Sequence, residues 1–258
     1  MLSVFLSVRN GILFAMLWAV TSLFAAEGQA SFASLLAGGL SPVGLGGYHS
    51  SPARFAETSY GVSYYWMDDV EELSWNLSLE FGNDFYRVGA FVCYHSMDSL
   101  YHNSYSEISF AKTWRRLSLG VSYGLDMAWI PDDAFWARHR IKFGAGYVFR
   151  QVYLSGMLVG WAGEAPTPAL GIHWISDESI AAFAETDFQN LYVGADFRWN
   201  FFEISTSYRF PDFAVAVQLS FSFEKVGFSF SRGFQHNSLG WNGVHIYRMP
   251  KRKRQEFN

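Results

Sequence analysis

The sequence contains one cysteine, seven prolines and, after its first 26 residues, no long uninterrupted apolar run. A single cysteine, Cys93, cannot form an internal disulfide, so a disulfide-stapled fold is excluded. Each membrane-spanning helix needs ~20 largely apolar residues, so the body of the chain has no such helix. The formal net charge of -4 leaves no basic excess of the kind that nucleic-acid binding requires. We expect no nucleic-acid partner.

The residues that are abundant favour strands and turns. Aromatic residues make up 19% of the chain, and there are 23 glycines. Aromatic side chains suit a pleated sheet, whereas glycine suits tight turns. The composition therefore predicts an all-β fold.

The N-terminus has the three parts of a secretory signal peptide. Arg9 is the only charged residue among the first 26, the apolar run Ile12–Phe24 follows, and small residues come next. This order predicts a cleaved export signal over residues 1–26, with cleavage after Ala26 or as late as Ala30. The alternative is a permanent N-terminal anchor helix, for which the apolar run is short.

The body alternates between apolar and polar residues over unusually long stretches. Leu73–Phe81, Leu117–Met127 and Phe213–Phe223 are apolar at every second position, a period that indicates strands. Soluble strands average ~5–6 residues, whereas membrane-spanning strands need ~9–11. Eleven more segments fit as strands: Tyr60–Trp66, Phe85–Tyr94, Tyr105–Trp114, Arg138–Phe149, Val152–Trp161, Ala169–Ile175, Ile180–Ala184, Leu191–Trp199, Phe202–Phe210, Val226–Ser231 and Gly243–Arg248.

These strands predict a transmembrane antiparallel up-and-down β-barrel over residues 58–248, located in an outer membrane. We expect about 14 strands in the barrel, or 12 if the weakest segments do not form strands. Tight links alternate with longer ones at 95–104, 128–137, 162–168 and 232–242, as in barrels with short periplasmic turns and longer external loops. The alternative is a soluble β-sandwich. The barrel predicts that Leu77, Leu119, Val217 and Phe228 face outward.

Two terminal segments lie outside the predicted strands. Residues 31–57 lack alternation and contain several glycines and large apolar residues. Exposing those groups to water is unfavourable, and a barrel of fourteen strands has spare internal space. We therefore expect a small plug inside the barrel, with Ser51, Pro52, Ala53 and Arg54 as plug residues. Residues 249–258 form a basic periplasmic tail that contains Lys251–Arg254.

Two motifs resemble the FadL-like outer-membrane barrels, which include the PorV/PorQ-type proteins. Ser51-Pro52-Ala53 is similar to their Asn-Pro-Ala motif before the first strand, and Gly233–Gly240 resembles a hairpin before the last strand. The resemblance covers both ends of the barrel. It implies transport of hydrophobic compounds or a secretion-accessory role, and an N-terminal hatch. The chain lacks room for the long external loops of the fatty-acid transporters.

Alternation assigns a set of polar residues to the lumen. They either pair with one another to hold a narrow barrel together or select a solute. The candidates are Asn76, Glu80, Arg87, Glu107, Arg140, Lys142, His173, Asp196, Arg198, Glu203, Arg209 and Gln218.

We expect a non-enzymatic barrel for passive transport of small compounds, including hydrophobic ones, in contact with outer-membrane lipid. The alternative is a structural or secretion-accessory barrel that binds a secretion-system protein through its loops. A hydrolase is the least favoured function, because no ordered catalytic signature links the histidines and acids predicted to lie in outer loops. We expect no cofactor and no metal. Those loop residues are His95, His102, His139, His236, Asp98, Asp132 and Asp133.

Overall fold

The computed structural model describes residues 52–53, 59–67, 72–83, 85–97, 101–131, 133–175, 179–211, 213–223, 226–235 and 240–248. The predicted signal peptide, most of segment 31–57 and the basic tail lie outside these residues. In the described part, no helix is long and apolar enough to cross a membrane. The strands of the described part are β1 (Ser59–Met67), β2 (Glu72–Gly82), β3 (Tyr86–Met97), β4 (Tyr101–Trp114), β5 (Leu117–Ile130), β6 (Ala134–Phe149), β7 (Val152–Trp161), β8 (Thr167–Ile175), β9 (Ile180–Thr186), β10 (Leu191–Trp199), β11 (Phe202–Phe210), β12 (Ala214–Phe223), β13 (Val226–Gln235) and β14 (Trp241–Arg248).

The fourteen strands found within the described ranges close into one barrel. Each strand pairs antiparallel with its neighbours in sequence, and β1 pairs with β14. The closing ladder runs from Tyr60 opposite Arg248 to Met67 opposite Trp241. Even the short β9 pairs along its whole length with β10. The predicted all-β, up-and-down barrel is confirmed, with fourteen strands rather than twelve.

Alternation along each strand separates an apolar outer face from a polar inner face. In β5, Ser118 is fully buried while its neighbour Leu119 is 42% exposed. Val217 and Phe228 are likewise exposed, and Leu77 lies on the same outer face, between exposed partners on β1 and β3. A continuous apolar surface of this kind is unfavourable in water but suits acyl chains. The four predicted outward residues therefore face the membrane.

Tight turns connect the strands at one end of the barrel. In the turn between β2 and β3, the Asn83 Oδ1 accepts hydrogen bonds from the backbone N–H groups of Phe85 and Tyr86, at 2.9 and 2.8 Å. Such side-chain caps replace ladder bonds that the backbone loses at a turn. Three further turns begin with a residue in the left-handed region: Arg115 (φ 54°), Arg150 (φ 54°) and Asn200 (φ 55°).

Two of the predicted external loops are wrong. β3 continues to Met97 and β4 begins at Tyr101, whereas β5 reaches Ile130 and β6 begins at Ala134. β4, β5 and β6 have 14, 14 and 16 residues, so this wall extends beyond the shorter strands. Above the bilayer the outer face no longer needs apolar residues, so alternation fades although the backbone ladder continues.

Candidate functional site

The lumen contains most of the polar residues that alternation assigned to it. The backbone of Asn76 lies opposite Ser63 and Cys93 on the neighbouring strands, but its side chain is outside the described set. The other eleven candidates lie on the inner face. They are Glu80, Arg87, Glu107, Arg140, Lys142, His173, Asp196, Arg198, Glu203, Arg209 and Gln218.

Charged and aromatic side chains on β4, β6 and β7 form one buried cluster. The Lys142 Nζ lies 2.8 Å and an Arg140 guanidinium nitrogen 3.7 Å from the Glu107 Oε2. The Tyr105 hydroxyl donates to Glu107 and accepts from the Arg140 Nε at 3.1 Å. The Arg140 guanidinium also lies over the rings of Tyr105 and Trp161, 4.4 and 5.0 Å from their centroids. Buried charges require such pairing.

Further polar pairs continue toward the external mouth. The Asn103 Nδ2 donates to the Asp126 Oδ1 at 2.9 Å. Arg138 and Glu164 form an ion pair at 2.9 Å, with both side chains about half exposed. The Arg138 guanidinium lies 5.6 Å from the Trp161 ring centroid. The β6 residues Arg138, Arg140 and Lys142 therefore make a column of cations, each matched by acidic or aromatic partners.

A second set of pairs lies on β10 and β11, near the tight turn that joins these strands. The Arg198 Nε donates to the Glu203 Oε2 at 2.6 Å. These two residues face each other in the ladder between β10 and β11. Asp196 lies opposite Ser205 in the same ladder. The periplasmic end of the lumen thus also contains both signs of charge.

A third set joins β9, β10 and β11. Tyr192 lies opposite Arg209 on β11 and Glu185 on β9 in the two ladders, and Glu185 has 1% of its surface exposed. On other walls, the Gln218 Nε2 donates to the Ser220 Oγ at 2.9 Å. The lumen therefore contains several separate polar groups around its circumference.

His173 on β8 differs from these paired groups. Among the described residues, its Nε2 is buried and has no hydrogen-bond partner. Its ladder partners are Tyr153 and Phe183. This nitrogen is a donor or acceptor available to a further group in the lumen.

The predicted plug residues are described only in part. Ser51 and Arg54 lie outside the described residues. Pro52 and Ala53 are buried against the inner wall. The Pro52 carbonyl accepts a hydrogen bond from the Arg87 guanidinium. At least this part of the segment before β1 therefore lies inside the barrel.

Several inner residues were missed in the sequence. Tyr105 and Tyr192 were not among the predicted lumen residues, yet both are buried inside. Glu185 was missed because the predicted ninth strand ended at Ala184, two residues before the end of β9 at Thr186. Asp126 and His245 could have been found, because each occupies the polar position of an alternating run.

Three of the four predicted loop histidines lie in strands rather than loops. His95 lies in β3 and faces the lumen, whereas His102 and His139 lie in β4 and β6 on the outer face. The His102 Nδ1 contacts the Tyr94 hydroxyl at 2.8 Å and the Ser96 Oγ at 3.2 Å. In the described residues no carboxylate contacts this imidazole, as a serine hydrolase triad would require.

Metal binding finds no support in the part of the chain that the structure describes. No group of three or more His, Cys, Asp or Glu side chains there could hold a metal ion. His236, Asp98 and Asp132 lie outside the described residues.

Comparison with known proteins does not assign the chain to a family. No protein-family model matches the chain, and no curated protein matches it. Solved structures that resemble it include a Rhodopseudomonas blastica porin triple mutant, with 10% identity and a TM-score of 0.45 over 75% of this chain and 99% of that chain. Another is the KdgM porin, with 10% identity and a TM-score of 0.43 over 74% of this chain and 99% of that chain. Likeness at this level does not indicate a function, and none of these comparisons supports the FadL-like or PorV-like resemblance.

The barrel itself defines the class of the protein. A closed antiparallel ring with an apolar outer face and a polar, charged interior is the architecture of a transmembrane β-barrel of the outer membrane. The predicted outer-membrane location agrees with this architecture.

Proposed function

We propose that this barrel is a passive transport protein for small polar solutes. The observation that carries the proposal is the lining of acidic and basic side chains, which runs from Arg138 and Asp126 near the mouth to Arg198 and Glu203 at the periplasmic end. A lining of both charge signs hydrates and guides polar solutes. It suits hydrophobic compounds poorly, and their transport is implied only by the sequence resemblance.

A secretion-accessory barrel is the second candidate. One observation favours it: the inner side chains Lys142 and Arg140 each have 1% of their surface exposed, so the lumen leaves little open space beside them. A permanently filled lumen is expected of a barrel that acts through its surface rather than through a pore.

Planar-bilayer recordings with purified, folded protein test the proposal. We expect discrete conductance steps from the full-length protein or from a variant that lacks residues 31–57. Folded protein that gives no conductance in either form, with a heat-modifiable band on gels as proof of folding, would reject transport and favour the accessory role.

A further inference from the structure

A lysine on the outer face of the barrel is held between two aromatic rings near the tight-turn end. Lys112 lies opposite Tyr86 in the ladder between β3 and β4, two residues before Trp114 at the end of β4. Its Nζ lies 5.3 Å from the ring centroid of Tyr86 and 4.7 Å from that of Trp114. Both rings are about half exposed on the lipid side. Because exposed Tyr and Trp rings of a membrane barrel lie at the headgroup level, this ammonium group lies there too.

Three arginines in the adjacent turns add to the charge of this lysine. Arg115 and Arg116 form the turn between β4 and β5, and Arg150 begins the turn between β6 and β7. A hydrogen bond of 2.9 Å from the Val148 N–H to the Arg116 carbonyl ties the end of β6 to the first of these turns. Arg115 and Arg150 are exposed. Lys112 and the three arginines are therefore four cations on one continuous part of the rim.

Within the described ranges, no carboxylate forms a salt bridge with these four cations. The carboxylates that do form salt bridges there, those of Glu107, Glu164 and Glu203, pair with cations elsewhere in the barrel. The turn between β10 and β11, which consists of Asn200 and Phe201, has no charged residue. Among the described turns, the positive charge is thus concentrated on the side of β4 to β7, where an external anion can bind.

An apolar surface leads from these cations toward the middle of the membrane. Val88 and Phe110 face each other in the ladder of β3 and β4, and Leu119 on β5 lies opposite Lys112. All three apolar side chains are exposed on the outer face. Guanidinium and ammonium groups are the preferred donors to phosphate oxygens. A molecule that fits both parts of this surface has an anionic phosphate group at the rim and acyl chains along the strands.

We propose that this part of the rim is a binding site for one anionic phospholipid, whose phosphate contacts the four cations Lys112, Arg115, Arg116 and Arg150. The occupant is a lipid rather than an acidic protein, because the cations border an apolar, membrane-facing surface and Lys112 lies at headgroup depth. Since the short turns of outer-membrane barrels lie in the periplasm, the lipid belongs to the periplasmic leaflet. The site is on the outer wall and does not depend on the transport function proposed above.

Lipid titration of the folded protein in detergent, followed by native mass spectrometry, tests this site. We expect the unchanged protein to bind phosphatidylglycerol, which is anionic, several-fold more tightly than phosphatidylcholine, which is zwitterionic. In the double variant Lys112→Gln, Arg116→Gln this preference should fall by roughly five-fold or more, since each basic residue near an anionic headgroup contributes roughly five-fold in affinity. Arg115 and Arg150 are retained, because both have positive φ values and their replacement would also change backbone strain.

Arg232→Gln is the matched control for the loss of an outer-face cation. The Arg232 guanidinium also lies over an exposed ring, 5.0 Å from the Phe234 centroid, but near the other end of the barrel. We expect this variant to keep the preference for phosphatidylglycerol. An equal loss in Arg232→Gln would overturn the site, because any outer-face cation would then have the same effect.

Two further outcomes would also overturn the proposal. One is equal affinity of the unchanged protein for the two lipids. The other is full displacement of phosphatidylglycerol by inorganic phosphate at the same concentration, which would indicate a site for free anions instead. A heat-modifiable band on gels shows that each variant is folded. If the double variant does not fold, Lys112→Met, which retains an apolar stem against the two rings, must reduce the preference instead.

Discussion

Inside the barrel, the Nζ of Lys142 on β6 lies 2.8 Å from the Oε2 of Glu107 on β4, and both side chains are buried. The two residues are separated by the whole of β5, so the pair bridges alternate strands of the wall. Its formation depends on the barrel register rather than on any local sequence pattern. Removing Glu107 would take away the carboxylate that Lys142 and Arg140 share, and removing Lys142 would leave Glu107 with the more distant Arg140 cation at 3.7 Å.

We therefore expect Lys142→Met or Glu107→Gln to destabilise the folded barrel by about 3–5 kcal/mol. Urea unfolding in detergent micelles, followed by heat-modifiable migration on gels, measures the change. The matched control is Glu164→Gln, because the exposed Arg138–Glu164 pair should contribute about 0–1 kcal/mol. Equal effects of the buried and exposed variants would contradict the assigned burial.

The two faces of β12 should respond oppositely to a new charge. Val217 is 41% exposed on the lipid side, whereas its neighbour Gln218 is 3% exposed and faces inward. Val217→Arg places a cation among acyl chains and should cost about 2–4 kcal/mol near the bilayer midplane. Gln218→Arg keeps the charge in the polar lumen. Assembly into lipid vesicles should fail or slow for the first variant alone; similar assembly of both variants would be inconsistent with the inside–outside assignment.

The turn between β4 and β5 should become more stable when its strained residue is replaced. Arg115 has a φ of 54°, a region that costs most side chains roughly 1–2 kcal/mol and that asparagine tolerates better. Arg115→Asn should therefore raise the free energy of unfolding by up to about 1 kcal/mol. Arg116→Asn, at the next position and without a positive φ, is the control. An equal gain from both variants would assign the effect to charge removal instead.

Gly124 should not tolerate a side chain. A Cβ atom there would lie 2.3 Å from the Tyr105 hydroxyl oxygen and 2.7 Å from two atoms of its ring. Gly124→Ala should displace Tyr105 from Glu107 and Arg140 and lower stability by roughly 1–3 kcal/mol, as overpacking does. The double variant Gly124→Ala, Tyr105→Phe should lose little more, because the displaced hydroxyl is already gone. Additive losses in this double-mutant cycle would show that the two residues act independently.

The strands that the sequence predicted best are those with a clear contrast between two environments. Phe213–Phe223 alternates strictly because one face contacts lipid and the other a polar lumen, and β12 begins one residue later than predicted. The upper parts of β4, β5 and β6 have water on the outer side as well. Their alternation is therefore weak, and these residues were predicted to be loops.

Alternation along the strands predicts which residues face the lumen, but it does not predict which of them contact one another. Charged residues such as Glu203 fall on the polar face of an alternating run, so alternation alone identifies them. The contact of Arg140 with Tyr105 depends on ladder register and on an aromatic ring that packs inward, and no local pattern encodes either. The position of Pro52 against Gly120 also depends on a contact across 68 residues of sequence, which only the closed barrel reveals.

The unequal strand lengths give the barrel an uneven outer rim. At about 3.3 Å per residue, the 16 residues of β6 span about 53 Å, whereas the 7 residues of β9 span about 23 Å. The hairpin of β5 and β6, whose ladder reaches Ile130 opposite Ala134, is therefore much longer than the hairpin that β9 forms with β10. We expect an epitope tag inserted in the β5–β6 hairpin to bind antibody on intact cells more readily than the same tag inserted next to β9.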